Sequence, residues 1–397
     1  MSVRAVTIRG IVETLKHFLR CLLFGVLAGC GGSTDATPIA TSLPRASASA
    51  SASASRPPPD CAGAVAHNNL AIARLAKSAI LQMPRDVEPF LAAALDGSDP
   101  ELAKLRGDWD ADKGYVLSLV DVLASTSLDA ARDAIIAAVP QMDNDANRAG
   151  AAQMLVLFPT TPALVATFKS IYAKLPPIAD KGGENDTGAE RARLLSVVSE
   201  FFDPSLGAWA LAESAGARGT NMLSAKVGVL QSAIKLMRPA DKANVDRALK
   251  SLEQSSDLSP REKTEVVDNV RGIFKAAAAA LDKCASNTAC YLKVLEEPIP
   301  KTRSANWKAI KAAQMAGVLG NEQTRQGLVA RIANVKDPAA RLAMSWAINH
   351  LAPKGDDADA DAIDAIVEGD KARKDSEALA GDDALTKVAL MLRARAL

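Results

Sequence analysis

Alanine dominates this chain: 77 of its 397 residues are Ala, against 15 aromatic residues. Ala loses no side-chain freedom in a helix, whereas strands draw on β-branched and aromatic residues, and Thr, Tyr and Phe are scarce here. Apolar residues recur at helical spacing, as in Leu70, Leu75 and Ala79, and in Leu342, Trp346 and Leu351 with Ile348 beside them. Asp99-Pro100, Asp203-Pro204, Ser259-Pro260 and Asp337-Pro338 each place a capping side chain before a Pro suited to the first helical position. Gly320-Asn321 and Gly355-Asp356 read as a helix stop followed by a fresh start. The pattern predicts an all-α fold of about sixteen to eighteen helices joined by short links. The least structured interior stretch, Pro176 to Gly188, reads as a surface loop. It divides an N-terminal helical half (61–188) from a C-terminal one (189–397).

Internal repetition sharpens this reading. Ala151-Ala152-Gln153-Met154 recurs as Ala312-Ala313-Gln314-Met315, and Leu164-Val165-Ala166 recurs as Leu328-Val329-Ala330. The offsets are 161 and 164 residues, a difference placed in the turn between two helices. Lys311 to Gly320 is followed by a second helix through Ile332. Then comes Lys336-Asp337-Pro338-Ala339-Ala340-Arg341, with Ala347-Ile348 and Leu351 further down the next helix. This stretch, around 290–352, resembles HEAT-type helical repeats, in which an Asp-Pro turn precedes a helix carrying Arg and then Leu positions. The resemblance implies an irregular α-solenoid or stacked helical hairpins, an architecture used for binding surfaces and scaffolds.

The N-terminus has a different character. Arg4, Arg9, Lys16 and Arg20 face one acid, Glu13, before a short apolar run from Cys21 to Ala28. That run is too short to span a bilayer, and no stretch of 18 apolar residues occurs anywhere in the chain. It ends in Leu27-Ala28-Gly29-Cys30, which resembles the lipobox of bacterial lipoproteins. The resemblance implies cleavage of residues 1–29 and lipid attachment at Cys30. It also implies a Gram-negative cell envelope, with Gly31 in place of Asp favouring the outer membrane. Two or three acyl chains hold a protein on a bilayer where one does not, because each buried CH₂ contributes about 0.8 kcal/mol. Residues 30–60 are rich in Ala, Ser, Thr and Pro, alternate Ala and Ser up to Ser55, and continue as Arg56-Pro57-Pro58-Pro59. Such a segment has almost nothing apolar to bury, so it reads as a disordered tether.

Charge and chemistry-bearing residues bound the function. The formal charge of +1 provides no electrostatic footprint for nucleic acid, and removing residues 1–29 leaves −2. Cys284 and Cys290 on one continuous helix would point about 120° apart and could not bridge. The break at Ser286-Asn287 lets them form a disulfide in an oxidising compartment, contributing roughly 2 kcal/mol through the small closed loop. Cys61 is left over, as a free thiol or paired with a partner or a second copy. His67 and His350 stand alone at opposite ends of the chain and read as helix-end or surface residues. Asp357, Asp359, Asp361 and Glu368 fall at calcium-loop positions, but Ala362 stands where that loop needs Gly and Asp364 where it needs an apolar residue. The acids therefore read as a helix start. Trp109, Trp209, Trp307 and Trp346 are spread out and read as core fillers. No catalytic set, metal site or cofactor motif is expected. The leading expectation is a membrane-tethered scaffold or adaptor that binds another protein. The alternatives are a structural or assembly component of a surface or secretion machine, and an enzyme working through carboxylates.

Overall fold

A computed structural model of the protein describes residues 84–98, 114–142, 144–177, 188–215, 223–254, 259–300, 304–373 and 382–396. The tether, the lipobox, Cys61, His67, Asp99-Pro100, Trp109 and most of 176–188 lie outside the described residues. The described residues form one compact unit.

Among the described residues the secondary structure is helical throughout, with no strand. In chain order the helices are α1 (Pro84–Asp96), α2 (Gly114–Thr126), α3 (Asp129–Ala138), α4 (Asp145–Met154), α5 (Pro162–Lys174), α6 (Ala189–Ser196), α7 (Pro204–Ser214) and α8 (Leu223–Leu236). They continue as α9 (Lys242–Glu253), α10 (Asp268–Cys284), α11 (Thr288–Val294), α12 (Trp307–Leu319), α13 (Glu322–Ile332), α14 (Pro338–Leu351), α15 (Asp357–Arg373) and α16 (Asp382–Ala396). A turn from Pro260 and a π segment, Lys263–Val267, lead into α10.

Short polar side chains begin many of these helices. Asp203 accepts from the Ser205 amide before α7, Asn321 from Thr324 before α13, and Asp337 from Ala340 before α14. Asn144 and Thr161 cap α4 and α5 in the same way.

Packing follows the small residues. α2, α4, α6, α8, α12, α14 and α16 each pack on the next, and α16 returns to pack on α2. The other helices flank this circuit. An open solenoid would leave the outer face of each end helix uncovered; here the last helix lies on the first one of the circuit. α4 and α6 pack directly on each other across the 176–188 stretch. Every residue of α12 from Ala309 to Gly317 is buried. Phe202, in a left-handed conformation (φ 54°), stacks its ring on His350 of α14, with centroids 4.7 Å apart. A Cβ on Gly317 would lie 2.5 Å from that ring, so only glycine admits it. Elsewhere Leu230, Ile234, Val245, Leu249, Val270 and Ile273 belong to one apolar cluster joining α8, α9 and α10.

The repeated segments occupy matching places. Ala151, Ala152, Ala312 and Ala313 are fully buried on α4 and α12, the first helices of two hairpins. The Leu-Val-Ala triplets lie on the second helices, α5 and α13. The three-residue difference in offset does not lengthen the link, which is seven residues (155–161, opening with the 3₁₀ turn Leu155–Leu157) in the first hairpin and two (320–321) in the second. It becomes an added first turn of α13, ahead of Leu328.

Candidate functional site

Of the residues singled out from the sequence, the cysteine pair is joined as expected. Cys284 ends α10, Cys290 lies in the first turn of α11, and their Cα atoms are 5.3 Å apart. Asn287 caps α11 by accepting from the Cys290 amide at 3.0 Å. Ala285 sits at φ 49°, and its carbonyl accepts from the Tyr291 hydroxyl at 2.7 Å.

Asp357, Asp359 and Asp361 lie at the start of α15, as the dipole argument expected, Glu368 pairs with Lys371 further along it, and arginines hold several of the neighbouring acids. Arg325 on α13 pairs with Glu322, Asp356 and Asp359, and Arg393 on α16 reaches Asp361 and Asp364 at 2.6 Å each. Among the described residues no group of His, Cys, Asp and Glu could hold a metal ion.

His350 is at a helix end, as expected, but it is not a surface residue. Stacked on Phe202 and largely enclosed, its imidazole is pushed down to about 4 by burial. The described tryptophans are half-buried rather than fully internal. Trp307 packs on the α8–α10 cluster. Trp209 meets Tyr172 at 4.9 Å, with the Lys169 amine 5.2 Å from its ring.

Sequence reasoning missed the buried polar residues. Lys311, in the buried middle of α12, donates to the carbonyls of Ile234 (3.0 Å), Lys235 (2.7 Å) and Met237 (2.5 Å) at the end of α8. Burial pushes its amine well below the ordinary lysine range, against the pull of the Asp241 carboxylate. Three acceptors at the negative end of a helix give each ammonium proton a partner. One turn on, Gln314 donates to the Ser199 carbonyl at 2.6 Å. Arg341 and Asp370, both almost fully buried, pair at 2.6 Å between α14 and α15. The only sequence signal for the first two was their position: Lys311 and Gln314 are three apart in a stretch, Ala309–Val318, that is otherwise Ala, Ile, Met, Gly and Val.

Arg395 marks the closure of the circuit. It donates to Ser127 Oγ at 2.5 Å, to Asn349 Oδ1 at 2.9 Å and to the Ala352 carbonyl at 3.0 Å. Burial pushes its guanidinium down to about 10. Ser127 in turn donates to the Leu157 carbonyl at 2.8 Å. Gly355, at φ 75°, lies so close to α16 that a Cβ there would run into the Leu392 carbonyl.

These groups hold helices together. A crevice between α7, α8 and α9, edged by Gly207, Leu211, Met237 and Asp241, has about 10 Å³ of free space, enough for one water. Comparison with protein-family models, with curated proteins and with solved structures found no match. No helix among the described residues is long and apolar enough to cross a membrane.

Proposed function

We propose that this protein is a lipid-anchored component of a Gram-negative cell envelope whose helical domain serves as a scaffold or adaptor for another protein. The observation that carries the reading is the order of basic flank, short apolar run and Leu27-Ala28-Gly29-Cys30 at the N-terminus. The Cys284–Cys290 disulfide supports export, since such bonds persist outside the reducing cytosol. The helical domain supports a binding role in a second way. Its buried ionisable groups are spent on joining helices, and the side chain of Leu342, 41% exposed, stands one helical turn from the half-buried Trp346 on α14. In this reading the acyl chains fix the protein to a membrane, and residues 30–60 set how far the domain reaches from it.

Intact-mass analysis of the protein purified from a Gram-negative host tests the anchor. A chain beginning at Cys30 and carrying acyl chains is the expected result; an uncut leader with a bare Cys30 thiol overturns it. Cross-linking in envelope preparations tests the scaffold role, with one protein partner recovered reproducibly as the expected result. Loss of a specific surface structure on deletion would instead favour an assembly component.

A further inference from the structure

We propose that the corner between α10 and α11 is a redox-responsive turn, opened by a dithiol reductant while the rest of the domain stays folded. The two sulfurs are unequally placed. Cys284 is 3% exposed, whereas Cys290 is half-buried at the start of α11. An incoming thiolate therefore reaches Cys290 Sγ. A bond forms between the reductant's sulfur and Cys290, the Cys284–Cys290 bond breaks, and Cys284 leaves as a thiolate that takes up a proton.

Cys284 is then only six residues from the new mixed disulfide, so it re-attacks and expels a monothiol. A dithiol resolves the intermediate with its own second thiol. It leaves as a disulfide, and Cys290 takes up a proton; two electrons pass from the reductant to the cysteine pair.

The surroundings confine the change. α10 is held in the core by Ile273, Ala277 and Leu281, and α11 by Tyr291 and Val294. The Glu297 carboxylate sits between the Lys283 and Lys308 amines, 2.5 Å from each, and ties the end of α11 to the ends of α10 and α12. Between these fixed points Ala285, Ser286 and Asn287 are exposed. Ala285 is in a region that a Cβ disfavours, and α11 has only seven residues, too few to hold its first turn alone. Once the bond is cut, Ala285 relaxes, the first turn of α11 frays and Tyr291 loses its acceptor. The proposal does not depend on lipid at Cys30.

The test uses the full chain, titrated with dithiothreitol or with glutathione at neutral pH. Alkylation with peptide mapping and hydrogen exchange read the outcome. With the dithiol, Cys284 and Cys290 should both alkylate while unfolding remains a single cooperative transition. Exchange over 284–291 should quicken by about tenfold or more, with 273–281 and 309–317 unchanged. Glutathione at equal thiol concentration should leave the pair mostly oxidised. Alkylation that proceeds only as fast as global unfolding overturns the proposal, as does a reduced protein that exchanges like the oxidised one. The double variant C284S/C290S should show the fast local exchange without added reductant. If that variant does not fold, the titration of the native chain decides. In C290A, rapid alkylation of Cys284 in the folded state would overturn the order of attack.

Discussion

His350 is the residue whose environment departs furthest from its sequence context. In Ile-Asn-His-Leu at a helix end it reads as a solvated imidazole, yet it stacks on Phe202 and is pushed down to about 4. The unfolded chain binds its proton near 6.5 and the folded chain does not. Stability from this group is thus complete above 6.5 and lost as pH falls toward 4, at about 1.4 kcal/mol per pH unit and roughly 3 kcal/mol in all. Urea titrations of the wild type and H350F at pH 7 and pH 4.5 should differ in this acid-induced loss, with the variant keeping the smaller one. Lys311 poses the opposite problem, a cation that belongs in the core. Replacing it with Met takes the amine donor from the buried carbonyls of Lys235 and Met237 and leaves Ile234 with only the Met237 amide. K311M should lose about 3 kcal/mol in chemical denaturation. A neutral result would show that water replaces the amine.

Between helices, buried ion pairs and side-chain caps do work that the Ala faces cannot. Small residues let α4, α12 and α14 approach their neighbours closely, but Ala on Ala specifies no register. Arg341–Asp370 supplies one between α14 and α15. Removing one partner strands a buried charge, so D370A should cost about 3–5 kcal/mol. R341M/D370L, which removes both charges, should recover much of that, and a thermal-melt double-mutant cycle measures the difference. The caps were legible because capping is local: Asp203, Asn321 and Asp337 each accept from an amide within three residues. The ion pair was not, because its members are 29 residues apart on separate helices.

At the scale of the whole domain, closure is the feature with the widest consequences. In an open helical array each repeat depends on its neighbours alone. Here α16 covers α2, α14 and α15, and Arg395 joins α16 to Ser127 across 268 positions of sequence. Deleting 382–397 should therefore unprotect α2 as well as α14 and α15. Hydrogen exchange at Leu119 to Thr126 should rise sharply in the truncated protein. If only 338–373 respond, the domain behaves as an open array and the closing contacts carry little energy.

Composition and short-range chemistry determined the helices: Ala with few β-formers makes helix cheap, Asp-Pro and Gly-Asn mark its ends, and Ser286-Asn287 turns two cysteines toward each other. All of these act over a few residues, within reach of a reader of the linear chain. Only the tertiary structure decided that α16 returns to α2, that Lys311 lies in the core and that His350 is stacked on Phe202. Those outcomes depend on which apolar faces meet after the chain has travelled as far as from Ser127 to Arg395. An Ala-rich face fits many partners almost equally well, so the choice fell to sparse polar contacts and to the space that Gly317 and Gly355 leave open.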